Sequence, residues 1–95
     1  MAAQKSYRLR VVGLVQGVGF RVATQQKALG LGLKGWVCNR SDGAVEVSVA
    51  GQKISVEQLI MWLWRGPPAA RVEVVHVMDT LEEETIILPA SFEIL

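Results

Sequence analysis

Apolar and polar residues alternate in the first part of the chain, and the spacing then becomes helical. Residues 7–14 place every second residue, including Leu9 and Val11, on one apolar face, as in a strand with one buried side. A glycine-containing run ends this strand, and a helix is predicted over residues 20–31, with Gly32 as its end. The buried stripe of this helix is predicted to consist of Phe20, Thr24, Ala28 and Leu31.

A hairpin is predicted in the middle of the chain. Lys34–Asn39 has the composition of a second strand, and the Asp42-Gly43 pair that follows is a strong turn signal. From Val45 onward, valines alternate with polar residues, which indicates the returning strand.

A second helix and a further strand complete the pattern. The helix is predicted to begin near Ser55, because Ser55 and Gln58 have the spacing of a capping box, and to end at Gly66-Pro67-Pro68. The valine-rich residues 71–78 are predicted to form a strand and the acidic residues 79–84 an exposed loop. The residues that this helix is predicted to turn inward are Val56, Leu59, Ile60 and Leu63.

The predicted order of elements is strand, helix, strand, strand, helix, strand, with a possible fifth strand at Phe92–Ile94. This order indicates an α+β fold, the ferredoxin-like βαββαβ sandwich. We expect an antiparallel sheet of four or five strands with both helices on one face. A length of 95 residues with 51% hydrophobic content fits one domain, residues 1–95. The fold alone decides no function.

Charge, cysteine content and hydropathy narrow the class of protein. A net charge of +1 is too small for a general polyanion binder, so no nucleic-acid partner is expected. The single cysteine, Cys38, cannot form an internal disulfide, and the first residues lack the apolar stretch of a signal peptide. No apolar run approaches the roughly 20 residues of a membrane helix. We therefore expect a cytoplasmic protein without a membrane partner.

The run between the first strand and the first helix has the composition of an anion-binding loop. Its sequence is Val15-Gln16-Gly17-Val18-Gly19-Phe20-Arg21. Glycines allow backbone N–H groups to point into one concavity, the helix start adds unpaired donors, and Arg21 can bind two oxygens at once. These features predict a phosphate site, although such glycines can also serve tight packing and the arginine can be a solvated surface charge. The spacing fits neither common nucleotide-binding motif.

Asn39 ends the second predicted strand, where its side chain could project into a pocket or could simply cap the turn. Cys38 is a weak candidate for a nucleophile, because a strand turns Cys38 and Asn39 to opposite faces. His76 is better explained as a structural or surface residue than as a catalytic base, and Arg40 as a surface arginine beside the turn.

Two regions of the chain, taken together, resemble the signature regions of the acylphosphatase family. The first is the glycine-containing loop with Arg21, and the second spans residues 28–45 and contains Asn39. The resemblance extends to Gly66-Pro67 and to the Phe92-x-Ile94 end, so it covers almost the whole chain. The sequence departs from the family's usual pattern at Val22, often aromatic in similar proteins, and at Cys38, often basic. The family residues matched in the second region are Ala28, Leu31-Gly32-Leu33, Gly35-Trp36-Val37, Asn39, Asp42-Gly43 and Val45.

This resemblance implies a small ferredoxin-like enzyme that hydrolyses the carboxyl–phosphate bond of small acyl phosphates without a cofactor or a metal. It implies that Arg21 binds the phosphate and that Asn39 positions the attacking water. We expect a small-molecule acyl phosphate as partner and a monomer. The other phosphate-binding residues implied by the resemblance are those of the backbone loop, Gln16, Gly17, Val18, Gly19 and Phe20.

Two alternatives stay open. The first is a non-catalytic phosphate- or RNA-binding module on the same fold, since Lys34-Gly35-Trp36-Val37 resembles part of an RNA-recognition strand. The second is the acylphosphatase-like domain at the front of carbamoyl-phosphate-handling hydrogenase-maturation proteins, which commonly have proline at the position of Val22. A free-standing enzyme is the simpler hypothesis.

Overall fold

Two helices and five strands form the described part of the fold, in the order predicted from the sequence. The computed structural model describes residues 4–80 and 89–95. The elements are β1 (Gln4–Leu14), α1 (Phe20–Gly30), β2 (Lys34–Asn39), β3 (Val45–Gln52), α2 (Lys53–Arg65), β4 (Arg71–Thr80) and β5 (Phe92–Ile94).

The strands make one sheet in the order β4-β1-β3-β2-β5. The pairs β1–β4, β1–β3 and β2–β3 are antiparallel, whereas β5 runs parallel to β2. The ferredoxin-like fold class is thus confirmed, with a fifth strand that makes the sheet mixed rather than wholly antiparallel. The cause is topological: β4 and β5 lie at opposite edges, so β5 joins the sheet beside β2 instead of forming a hairpin with β4.

A single apolar core joins both helices to one face of the sheet. The central strands β1 and β3 supply its middle, where alternate residues such as Leu9 and Val47 are fully buried. The other face of these strands carries polar residues, including the buried Glu46 and Ser48. The core residues from the helices are Phe20 and Ala28 of α1 and Val56, Leu59 and Leu63 of α2.

The predictions for α1 are confirmed almost to the residue. Phe20, Thr24 and Ala28 are buried along one stripe, and Leu31 packs against the edge of the core. The helix ends at Gly30, and Gly32 takes a positive φ of 71° just beyond it, as expected for a glycine that terminates a helix.

The predicted start of α2 was wrong, although its end at Gly66 is confirmed. The helix begins at Lys53 with Gln52 as its N-cap and no side-chain cap, so Ser55 and Gln58 do not form the start. The chain passes from β3 directly into this helix: the pairing of Gln52 with Gln4 of β1 keeps the strand extended to Gln52, and the helix follows at Lys53, before the capping signal.

The acidic stretch predicted as a loop over residues 79–84 begins as strand. Asp79 and Thr80 belong to β4, because their backbones pair with Arg8 and Tyr7 of β1. Residues 81–84 lie outside the described residues. Within residues 4–80 and 89–95, neither helix is long and apolar enough to span a membrane.

Candidate active site

The loop between β1 and α1 has the backbone shape of an anion cradle. Gly17 and Gly19 both adopt left-handed conformations, with φ of 75° and 76°, on either side of Val18. Such a reversal of backbone direction turns neighbouring N–H groups toward one side of the chain. Residues with a side chain rarely adopt these backbone angles, so the conformation of the loop favours glycine at both positions.

The start of α1 adds donors at the same place. Gly19 is the N-cap residue, and no side chain caps the helix. The first helical N–H bond is that of Ala23 to the carbonyl oxygen of Gly19, at 3.1 Å, so the N–H groups before it have no acceptor within the helix. Because the first turn holds no acidic residue, this end of the helix dipole is free to stabilise an anion.

A cavity of about 150 Å³ brings the loop, Arg21 and Asn39 together. Arg21 comes from the first turn of α1 and Asn39 from the last position of β2, so the fold joins two elements that are distant in sequence. Within the described residues, no carboxylate lies within ion-pair distance of Arg21. The residues that line the cavity are Val15, Gly17, Gly19, Phe20, Arg21, Val22, Asn39 and Ile94.

Two of the predicted loop residues do not line this cavity. The Gln16 side chain turns toward the β2–β3 turn, where its Nε2 donates to the carbonyl oxygens of Arg40 at 2.7 Å and Ala44 at 2.9 Å. Val18 packs against the edge of the core. The Gln16 side chain thus ties the loop to the turn that follows Asn39, a contact that sequence reasoning had missed.

Phe20 anchors the loop to the apolar core. Its ring is 2% exposed and packs at a tilt against Trp62 of α2, with ring centroids 5.9 Å apart. A Cβ added to Gly66 would lie only 2.7 Å from Cε2 of Phe20, so the end of α2 closes tightly against the ring. Arg21 therefore follows a residue that is fixed in the core.

The turn after Asn39 is held by its own hydrogen bonds. The N–H of Arg40 donates to the carbonyl oxygen of Ala44 at 2.8 Å, and Asp42 accepts from the N–H of Ala44 at 3.1 Å. Asp42 also pairs with Arg10, and this contact is the main cause that lowers the pKa of Asp42 below its ordinary value of 3.8. The predicted Asp42-Gly43 turn is confirmed.

A buried carboxylate lies behind this turn, on the polar face of the sheet. Glu46 accepts a hydrogen bond from Nε of Arg40 at 2.6 Å and lies 3.6 Å from Nε of Arg8. The hydrogen bond from Arg40 is the main cause that lowers the pKa of Glu46. Arg8 and Arg10 lower this pKa further, whereas burial acts in the opposite direction. The same hydrogen bond raises the pKa of Arg40. Sequence alternation placed Glu46 on a polar face but gave no sign that it is buried there.

The weaker candidates lie away from the cavity. Cys38 is buried opposite Glu46, on the face of β2 turned away from Asn39, as strand alternation predicted. His76 is exposed and pairs with Arg10 across β4 and β1. Neither residue lines the cavity that contains Arg21 and Asn39.

The fold is a ferredoxin-like domain, with a cavity that joins a glycine-containing loop, the start of a helix and Arg21, and with the amide side chain of Asn39 beside them. The profile of the acylphosphatase family, described as "Acylphosphatase", matches residues 7–94, and the chain belongs to this family.

Curated and solved relatives agree with this assignment. An acylphosphatase from Paraburkholderia xenovorans is 53% identical over 68 residues, which cover 72% of this chain and 70% of the relative. One from Chromohalobacter salexigens is 45% identical over 84 residues, with 88% and 89% covered. The structure of an acylphosphatase from Coxiella burnetii superposes with a TM-score of 0.88 at 36% identity, covering 97% of this chain and 93% of that one. The chain is thus an enzyme that hydrolyses acyl phosphates, and a non-catalytic binding module is not favoured.

Proposed function

We propose that hydrolysis takes place in the cavity between the 16–20 loop and the end of β2. In this proposal the backbone of the loop and Arg21 hold the phosphate of a small acyl phosphate, and Asn39 positions the attacking water. The observation that carries the proposal is the convergence of Arg21, the glycine loop and Asn39 on one cavity of about 150 Å³.

The phosphate fits the donors of this cavity. Backbone N–H groups of the loop and of the start of α1 can donate hydrogen bonds to an anion. Arg21 adds a full positive charge and two parallel N–H donors. Since no carboxylate among the described residues neutralises Arg21, its charge is available to the ligand. These groups would stabilise the charge that spreads over the phosphoryl oxygens in a loose transition state.

The reaction needs few other groups because the leaving group is already good. The oxygen of water forms a bond to phosphorus while the phosphorus–oxygen bond to the acyl group breaks, and the electron pair leaves with the carboxylate. A carboxylate is a stable anion, so no general acid is required. The remaining cost is to hold the water in line with the breaking bond.

Asn39 is suited to orient the water but not to deprotonate it. Its side-chain amide can accept and donate hydrogen bonds, but it is not a base at neutral pH. We assign the role of proton acceptor to a phosphate oxygen of the substrate, so the products are a carboxylate and inorganic phosphate. A pH–rate profile that required an ionising enzyme group near neutrality would contradict this step.

Several features of the proposed enzyme go beyond the family assignment. We propose that it acts as a monomeric cytoplasmic protein of one domain, without cofactor, metal or nucleic-acid partner. The near-neutral charge of +1 and the small cavity support a small-molecule substrate rather than a polyanion.

The test is hydrolysis of benzoyl phosphate by the purified chain in the presence of a chelator, with Arg21→Ala as the variant. We expect the wild type to turn over at a rate that the chelator leaves unchanged, and Arg21→Ala to lose this turnover. Leu29→Ala is the matched control, because Leu29 is an exposed residue of the same helix that does not line the cavity. A wild type that binds inorganic phosphate without turnover would instead reveal a phosphate-binding module.

A further inference from the structure

The residue after Asn39 is held at three points. The backbone N–H of Arg40 donates to Ala44, and its carbonyl oxygen accepts from Gln16 at 2.7 Å and from the N–H of Gly43 at 3.2 Å. Its side chain donates from Nε to Oε2 of Glu46 at 2.6 Å. The backbone on the C-terminal side of Asn39 is therefore fixed by contacts to the loop, to the turn and to the opposite face of the sheet.

Asn39 depends on this support because its own side chain has none. Among the described residues, no hydrogen bond holds the Asn39 amide, and the residue is exposed at the end of its strand. Its position relative to the phosphate site is thus set by the backbone of β2 and of the turn. A displacement of about 1 Å at such a group can cost on the order of 100-fold in rate.

Glu46 is a rigid anchor for Arg40. It lies within β3, paired with Cys38 on one side and Arg10 on the other, and its side chain is 7% exposed. The charged groups that face it are Arg8 and Arg10 of β1 and Arg40 of the turn. A buried carboxylate that is surrounded by cations moves little, because movement away from the cations would leave its charge unpaired in the interior.

We propose that Glu46, acting through Arg40, is a positioning residue that holds Asn39 in place for the attacking water. This inference rests on the role assigned to Asn39 under the proposed function. Glu46 itself is on the opposite face of the sheet from the cavity and touches no reacting atom.

The experiment compares kcat and the inhibition constant of inorganic phosphate for wild type, Glu46→Gln and Glu73→Gln. Glu46→Gln removes the charge with little change of size, and it is expected to lower kcat by about 10- to 100-fold while phosphate affinity changes less than about 2-fold. Glu73→Gln is the matched control, since Glu73 is an exposed carboxylate of the edge strand β4, which β1 and β3 separate from β2, and it forms no ion pair among the described residues. Both constants should stay within about 2-fold of wild type in the control.

A double variant separates positioning from general destabilisation. In an Asn39→Ala background, Glu46→Gln should cause little additional loss of kcat, because the residue that it positions is absent. An equal additional loss there, a parallel loss of phosphate affinity, or a kcat equal to that of Glu73→Gln would overturn the proposal. Arg40→Met, which removes the half-exposed partner, gives the same test if Glu46→Gln does not fold. If Asn39→Ala alone leaves kcat unchanged, the role that the proposed function gives to Asn39 is wrong, whatever the result for Glu46.

Discussion

Replacement of Gly66 by alanine is expected to destabilise the fold and to disturb Phe20, the last residue of the 16–20 loop. Gly66 ends α2 with φ of 68° and ψ of −170°, a combination that glycine adopts and other residues avoid. The backbone strain of alanine at such angles costs about 1–3 kcal/mol.

The added methyl group would also meet the core. Its carbon would lie 2.7 Å from Cε2 of Phe20 and 3.2 Å from the Cβ of Ala70, so the aromatic ring must move. Overpacking of this kind costs about 1–3 kcal/mol. Both effects together amount to about 2–6 kcal/mol, which corresponds to a fall in Tm of at least about 8 °C for a domain of this size.

The assay is urea denaturation followed by tryptophan fluorescence, with Gly30→Ala as control. Gly30 lies in α1 at an ordinary φ, and an added Cβ there would meet nothing within 4 Å. That variant should gain about 0.5–1 kcal/mol from helix propensity. Phe20→Leu combined with Gly66→Ala identifies the clash, because the smaller side chain should cost less stability in that background than alone. A Gly66→Ala protein as stable as wild type would refute the reasoning.

Three further predictions concern the charge, the pH response and the wall of the site. Arg21→Lys keeps the charge but loses the two parallel donors, so kcat/KM for benzoyl phosphate should fall by about 100-fold or more, and near wild-type turnover would contradict the role of the guanidinium. Because Arg40 lowers the pKa of Glu46 below its ordinary value of 4.5, the stabilisation by this carboxylate is present above that pH and is lost as the pH falls through the folded-state pKa. The difference in unfolding free energy between wild type and Glu46→Gln should therefore shrink as the pH falls below 4.5, and a difference that stays constant would contradict the stabilising role of the Glu46 carboxylate. Val22 is 52% exposed on the cavity wall, so Val22→Ala should lower the ratio of kcat/KM for benzoyl over acetyl phosphate by about 3- to 10-fold, whereas an unchanged ratio would exclude contact with the acyl group.

The elements whose signal is local were predictable from the sequence. The alternation of β1, the stripe of α1 and the Asp42-Gly43 turn each depend on neighbouring residues, and the structure confirms them. The residues of the candidate site were predictable for a different reason. The two regions that resemble the acylphosphatase family carry Arg21 and Asn39, and the structure brings both to one cavity.

The features that the sequence did not reveal depend on contacts between distant residues. Ser55 and Gln58 have a capping spacing, but β3 pairs with β1 as far as Gln52 and passes directly into α2, so the helix starts earlier, at Lys53. Glu46 has the alternation of a surface residue, but it lies in a central strand, between β1 and β2, and Arg8 and Arg40 converge on it from other elements. The Gln16 side chain likewise finds its partners on a turn 24 or more residues away.

The central claim is the division of labour between Arg21 and Asn39 in one cavity. The most direct measurement is the pair of constants kcat and the inhibition constant of inorganic phosphate for Arg21→Ala and Asn39→Ala beside wild type. We expect Asn39→Ala to lose kcat while keeping phosphate affinity, and Arg21→Ala to lose both. An Asn39→Ala enzyme that keeps kcat and loses phosphate affinity would contradict the account.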